Sequence, residues 1–216
     1  MIGKKKAVNA PYNDIMNEDI MKHGKWSTDR KITVGVAGAC TRIGTTTQAM
    51  QIAYYLFYQE KGVAYVEMNG SGFLDSLARR YQDVKRDRNG NYVYNRLTMV
   101  KREDLNTVLT PEYEYLVFDY GSVRSKSFDR ISFAERNIQV LVAGSSPDEI
   151  DYTTAALSDP SFNRCRILFS LVPDDDRKSV EAMMTKRLQD TFFTAYTPDR
   201  FLPDGSMDAV YRQILP

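Results

Sequence analysis

Histidine and cysteine are scarce in this chain of 216 residues: one histidine and two cysteines. His23 stands beside Gly24 in a polar stretch and reads as a solvated loop residue, which leaves no candidate for imidazole catalysis. Cys40 and Cys165 lie far apart and fit no metal-ligand spacing. Free thiols suit a reducing, cytoplasmic setting. No apolar run approaches the ~18–20 residues of a membrane span, and no leader pattern opens the chain, so no membrane insertion is expected. The formal net charge is only +1, so global charge points to no particular partner. Internal repeats and low-complexity segments are also missing. What remains is ordinary for a soluble protein, with 43% hydrophobic and 26% charged residues. The length suits one α/β domain with a substantial core.

The most informative stretch is Ile32 to Leu56, ITVGVAGACTRIGTTTQAMQIAYYL. Ile32 to Ala37 are apolar or small, as in a buried strand. Gly38 to Gly44 is a turn. Thr45, Thr46 and Thr47 open a helix with apolar residues at Ala49, Ile52, Ala53, Leu56 and Phe57, at i, i+3, i+4, i+7 spacing. A turn between a buried strand and a helix N-terminus offers free N–H groups and the positive end of the helix dipole to a phosphate. The phosphate-binding P-loop is G-x-x-x-x-G-K-[ST]. Here Gly44 fits the second glycine and Thr46 the Mg²⁺-binding hydroxyl. Ala39 replaces the first glycine and Thr45 the lysine. The residues placed at this site are Cys40, Thr41, Arg42, Ile43, Gly44, Thr45, Thr46 and Thr47. The alternative is a plain strand–helix turn with a threonine-rich cap.

Residues 1–31 form a polar arm, with Lys4, Lys5 and Lys6, a short helix expected over Asn13–Lys22, and Trp26 in a polar context. The domain is expected over residues 32–216. Val63–Met68 is a second buried strand, ending in Glu67-Met68-Asn69-Gly70, where ligands of open α/β sheets bind. Glu67 and Asn69 suit either a ligand site or the cap of a helix over Phe73–Arg80. Residues 79–102 carry eight basic and two acidic residues around Asn89-Gly90, a hairpin signal, with Tyr81, Tyr92 and Tyr94 interleaved. Such a basic hairpin insert either binds nucleic acid or a protein partner, through Arg86, Arg88 and Arg96, or is a solvated face. Tyr115–Asp119 is an apolar strand ending in aspartate, the Walker B pattern. Ile138–Ala143 and Arg166–Val172 are further strands. Pro147-Asp148-Glu149 starts a helix. Asp174, Asp175 and Asp176 suggest a metal cluster or, better, the charged start of a helix over Lys178–Leu188. Phe192–Tyr196 is a last strand and Met207–Leu215 a last helix. The alternation predicts a doubly wound, mainly parallel sheet with helices on both faces.

The threonine-rich loop, the strand ending Glu67-Met68-Asn69 and the strand ending Asp119 fall in the order of the ParA/MinD family of deviant P-loop ATPases, which this chain resembles from Lys31 onward. The 1–31 arm and the 79–102 insert lie outside the resemblance. The resemblance implies a dimerising positioning or assembly factor that binds ATP or ADP with Mg²⁺. Carried over residue by residue, the signature lysine falls on Cys40, its glycine pair on Thr41 and Arg42, and the P-loop lysine on Thr45. The Mg²⁺-binding threonine is kept as Thr46. The two strand-two aspartates become Glu67, on the metal side, and Asn69, at the water-positioning site. The Walker B aspartate is kept as Asp119. The expected base-reading asparagine is replaced by Ser170 and Leu171. Phosphoryl transfer depends on charge around the γ-phosphate. Losing two cations and one anion implies a rate lower by about 10³-fold or more. Arg42 is the one cation near the loop, and its fork can stand in for a lysine in part. Three readings follow. One is a nucleotide-binding regulatory or scaffold subunit with little or no hydrolysis, working with a protein partner or as a homodimer. Another is a slow Mg²⁺-dependent ATPase that uses Arg42. The last is a nucleic-acid-associated protein that acts through the insert.

Overall fold

The computed structural model describes residues 31–197, 199–202 and 205–215. The helix expected over 13–22, with His23 and Trp26, lies outside the described residues. Two compact units divide the chain at Arg30/Lys31, and only the second is described here.

That unit is a nine-stranded sheet with helices between its strands. In chain order the elements are β1 (Ile32–Gly38), α1 (Thr45–Tyr58), β2 (Val63–Glu67), α2 (Phe73–Arg80), β3 (Lys85–Arg86), β4 (Tyr92–Tyr94) and β5 (Leu97–Lys101). They continue with β6 (Tyr115–Ser122), α3 (Arg130–Ala134), β7 (Ile138–Ala143), α4 (Pro147–Leu157), β8 (Arg166–Phe169), α5 (Asp174–Met183), β9 (Thr191–Phe193) and α6 (Asp208–Ile214). The strands lie in the order β3-β4-β5-β2-β6-β1-β7-β8-β9. From β5 to β9 all pairings are parallel, and β3-β4 and β4-β5 are antiparallel. This is the mainly parallel α/β sheet expected from the alternation of strands and helices. The central strands are largely apolar because helices cover them: Val34, Val36, Val117, Val140 and Leu141 are fully buried.

Sequence order reverses across β1. The chain passes to β2 on one side, beyond β6, and β7 lies on the other. The loop after β1 therefore opens at a switch point, where the crevice of an open parallel sheet forms. Its start is pinned from both sides: Ala39 N–H donates to the Val142 carbonyl, and Val123 N–H donates to the Gly38 carbonyl, both at 2.9 Å.

Several boundaries differ from the expected ones. β6 runs three residues past Asp119, through a bulge that shifts its register against β1 between Val36 and Ala37. Gly121, at φ +66°, makes that turn possible. The expected Lys178–Leu188 helix starts earlier, at Asp174, and breaks after Met183 into a 3-10 stretch over Thr185–Asp190. The three adjacent aspartates all fall in its first turn, as the helix reading required. The last strand is shorter than expected, at Thr191–Phe193. α3 has no counterpart in the sequence reading; Asp129 caps it, accepting from Ser132 N–H.

The 79–102 stretch is two hairpins in series. The Asn89-Gly90 turn closes the first, with Gly90 at φ +82°. The second turns at Asn95-Arg96, both at positive φ, as a two-residue hairpin loop requires. Its last arm, β5, pairs in parallel with β2 and buries Leu97, Met99 and Val100, so the end of the insert is a strand of the main sheet.

Candidate functional site

The loop after β1 leads into a helix start that no side chain caps. Gly44, at φ +95°, is the N-cap of α1. Its first-turn N–H groups are thus left without a side-chain acceptor. The first turn of α1 carries no acid, whereas α2, α4 and α5 each have at least one there. In those helices the carboxylates answer the dipole; in α1 no residue of the first turn does. Above the loop is a cavity of about 620 Å³ lined by Cys40, Thr41, Arg42, Gly44, Thr45, Thr46 and Thr47. Asn69, Ser71, Gly121, Ser122, Ser125 and Arg200 complete its wall. The lining holds two arginines, many hydroxyls and no carboxylate, which is the character of an anion site.

Seven of the eight loop residues assigned from sequence line this cavity; Ile43 does not. Its side chain is buried and turns under the loop, toward Gly38. Thr45, which stands where a P-loop has its lysine, is also buried. A Cβ on Gly38 would lie 2.1 Å from Thr45 Oγ1 and 2.8 Å from Ile43 Cγ2, so the loop is packed directly onto the end of β1. Gly38 is therefore a required glycine, for space and not for φ.

Asp119 is fully buried beneath the loop. Its Oδ2 accepts from Thr46 Oγ1 at 2.7 Å and from the Tyr65 hydroxyl at 2.8 Å, and its Oδ1 accepts from Gly121 N–H at 2.9 Å. Burial raises its carboxyl above the usual carboxylate range, and these hydrogen bonds oppose that rise. Tyr65 is wholly buried beside it, and burial and the Asp119 charge push its hydroxyl well above the ordinary value. Thr46 spends its hydrogen on Asp119 and lines the cavity, so its oxygen keeps lone pairs for a cation.

Glu67, assigned from sequence to the metal side, is held otherwise. Its Oε1 accepts from Ser71 Oγ at 2.8 Å and Phe73 N–H at 2.7 Å, and its Oε2 accepts from Leu74 N–H at 3.1 Å. It caps α2, the other role open to it in the sequence. Among the described residues no group of three or more His, Cys, Asp or Glu side chains is placed to hold a metal. Asn69 does reach the loop cavity. Its Oδ1 accepts from Ser71 N–H at 2.9 Å and its Nδ2 donates to the Asp119 carbonyl at 3.3 Å. A Cβ on Gly121 would press on Asn69 Cβ at 2.8 Å, so these two residues fix one another. Asn69 also lines a neighbouring cavity of about 400 Å³, walled by Glu67, Asp75, Lys101, Arg102 and Glu103. Cys40 lies at the loop cavity, and burial and then Glu149 and Asp148 push its thiol up. Ser170 lies beside Gly44, and Leu171 follows at φ +59°, largely exposed.

Arg200, Ser71, Ser122 and Ser125 belong to the site but carry no motif, and sequence reading missed them. Arg200 comes from a late segment that no local pattern connects with the loop. The basic hairpin is a separate feature. Arg86, Arg88 and Arg96 are exposed. Arg86 stacks 3.4 Å above the Tyr92 ring and donates to the Gly90 carbonyl, and Arg96 lies 5.3 Å from the Phe57 ring centroid. Lys101 and Arg102 pair with Asp75 and Asp129.

No family model and no curated protein matches the chain. Solved structures do. The MinD cell division protein of Aquifex aeolicus superposes with a TM-score of 0.59 at 14% identity, over 86% of this chain and 95% of that one. A plasmid partition protein of Borrelia burgdorferi B31 bound to AMPPNP gives 0.59 at 10% identity, over 86% and 96%. The MinC:MinD complex of Aquifex aeolicus gives 0.50 at 14%, over 85% and 86%. The chain has a ParA/MinD-like fold. Among the described residues no helix is long and apolar enough to cross a membrane.

Proposed function

We propose that the 31–216 unit binds a nucleoside polyphosphate at the Gly38–Thr47 loop and serves as a nucleotide-dependent positioning or assembly subunit, with slow hydrolysis or none. The observation that carries this is the cavity over the uncapped, acid-free start of α1, with its arginines and hydroxyls. The Borrelia partition protein, bound to AMPPNP on a similar fold, supports the ligand class.

Thr46 fits a Mg²⁺ ion, with Asp119 fixing its hydroxyl from behind. A bound ion would neutralise charge on the phosphates. Glu67 is left as the cap of α2. Asn69 carries no charge to polarise water, and both ends of its amide are already bonded within the protein, which supports slow turnover. A protein partner or a second copy fits this reading, since the MinC:MinD complex pairs a chain of similar fold with another protein.

The test is a thermal shift with ATP, ADP and GTP, with and without Mg²⁺. Binding to the folded state alone raises the melting temperature by mass action. A saturable rise with one nucleotide, without phosphate release, is the expected result; no rise at millimolar nucleotide refutes the reading. The second reading, a slow ATPase, is favoured by the cavity's cations and requires Mg²⁺-dependent phosphate release that Arg42→Ala abolishes. The nucleic-acid reading rests on the exposed Arg86 and Arg88, and requires DNA or RNA binding that weakens steeply with salt and with loss of those charges. A charged edge strand, Lys85–Arg86, also guards a sheet against edge-to-edge pairing, so the hairpin's charge has a structural use without any ligand.

A further inference from the structure

We infer that Arg200 is a phosphate-binding residue of the loop cavity, and that it supplies from a distant strap the positive charge that Thr45 does not. The inference rests on the polyphosphate reading above and adds a residue to it.

Thr45 lines the cavity but brings no charge to it: it is uncharged, largely buried and packed against Gly38. The cavity nevertheless has two cations in its wall, Arg42 from the loop and Arg200 from outside it. Arg200 is delivered by a turn that several elements hold. Gln51, buried on α1, donates through Nε2 to the Asp199 carbonyl at 3.0 Å and to the Leu202 carbonyl at 2.7 Å. Asp199 Oδ1 accepts from Phe201 N–H at 2.8 Å, which closes the turn on itself. Phe201 is buried in a ring cluster, with centroids 4.9 Å from Tyr94, 5.7 Å from Tyr81 and 6.5 Å from Phe73. Strap, α1, α2 and hairpin thus fix the backbone on both sides of Arg200. Its guanidinium carbon lies 5.5 Å from the Phe73 ring centroid, within cation–π range. Among the described residues it forms no ion pair, and no carboxylate lines the cavity. A guanidinium beside Phe73 on a braced backbone, in a cavity lined by no carboxylate, matches a ligand that brings its own negative oxygens. The planar fork suits two oxygens of a phosphate.

The experiment is calorimetric titration of the full chain, wild type, Arg200→Ala, Arg200→Gln and Arg200→Lys, with ATP and separately with inorganic tripolyphosphate. Arg200→Gln keeps the stem over Phe73, and melting curves accompany each variant. A charge-assisted contact of this kind corresponds to about tenfold to hundredfold in affinity. Ala and Gln are expected to weaken both ligands by that factor, with Lys recovering part of it. If Ala and Gln, folded as the wild type, bind both ligands as tightly as it does, the role of Arg200 is overturned and the nucleotide reading survives. If the wild type binds tripolyphosphate but not ATP, and Ala and Gln weaken it, Arg200 stands and the nucleotide reading falls. If the wild type binds neither, both fall.

Discussion

Replacing Tyr65 by Phe tests the centre of the site with one oxygen atom. The Tyr65 hydroxyl is wholly buried and donates to Asp119 Oδ2 at 2.8 Å, and Asp119 is itself wholly buried. Phe fills the same volume, so packing is kept and only the hydrogen bond is lost. A hydrogen bond to a buried charged group contributes about 1.5–3 kcal/mol, more than a neutral one. Thr46 Oγ1 and Gly121 N–H remain on the carboxylate, so Asp119 is weakened and not orphaned. About 2 kcal/mol is expected, which for a domain of this size is a drop in melting temperature of about 4–8 °C. The assay is thermal and urea unfolding of wild type, Tyr65→Phe, Asp119→Asn and the double variant. In the Asp119→Asn background the acceptor is a neutral amide oxygen, and the same Tyr change should cost about 1 kcal/mol less. Equal costs in the two backgrounds would show that the hydroxyl and the carboxylate are not coupled. A Tyr65→Phe protein as stable as the wild type would refute the argument outright.

Other perturbations probe the walls of the site. Gly38→Ala forces a Cβ to within 2.1 Å of Thr45 Oγ1, and overpacking of this kind costs about 1–3 kcal/mol; Thr45→Ala in the same chain should recover part of it in urea unfolding, because Ile43 Cγ2 at 2.8 Å still crowds the new Cβ. Glu67→Gln leaves one acceptor oxygen facing three donors, so melting should fall by the equivalent of about 1–2 kcal/mol while any Mg²⁺ dependence of nucleotide binding is unchanged; loss of that dependence would instead make Glu67 a metal-side residue. Burial pushes the Cys165 thiol from 9.0 up to about 11, so the unfolded chain loses this proton first as pH rises. The stability tied to that thiol is present below about pH 9 and is lost by about pH 11, a change of about 3 kcal/mol at most. The advantage of wild type over Cys165→Ala should shrink across that window, and a gap that stays constant would contradict the buried assignment.

The parallel α/β sheet was legible because its strands are short apolar runs between helical periods. Ile138–Ala143 and the strand–turn–helix of 32–56 need nothing beyond local pattern. β5 was hidden for a physical reason: Leu97–Lys101 follows a run of basic residues and reads as the tail of the hairpin. Only the pairing with β2, across the whole of α2, makes it a sheet strand. Asp119 was legible as an acid near the end of a strand, but its partner Tyr65 was not, because a tyrosine in an apolar strand reads as core until the facing strand is known. Glu67 carried both its meanings in the sequence, and the backbone of α2 chose the cap. Arg200 is the extreme case, since it reaches the loop only through Gln51 and an aromatic cluster assembled from three elements.

Binding and turnover make different demands on such a site, and the residues here divide along that line. Holding a polyphosphate needs N–H donors, positive charge and hydroxyls anywhere around its oxygens. On the proposed reading, the open start of α1, Arg42, Arg200 and the threonines would meet that need from several directions. Hydrolysis needs charge at one bond and a water held in line with it. The position that the resemblance gives to orienting that water is Asn69, whose amide accepts from Ser71 N–H and donates to the Asp119 carbonyl. The same contact makes Gly121 indispensable and fixes the bulge that follows Asp119. A carboxylate at 69 would place its oxygens against the Asp119 carbonyl, next to a buried acid that burial already disfavours in its charged form. The wall of the loop cavity therefore opposes, as built, the charge that fast hydrolysis requires. On the proposed reading, slow hydrolysis would follow from the packing around Asp119, and Arg42 and Arg200, not position 45, would supply the positive charge for binding.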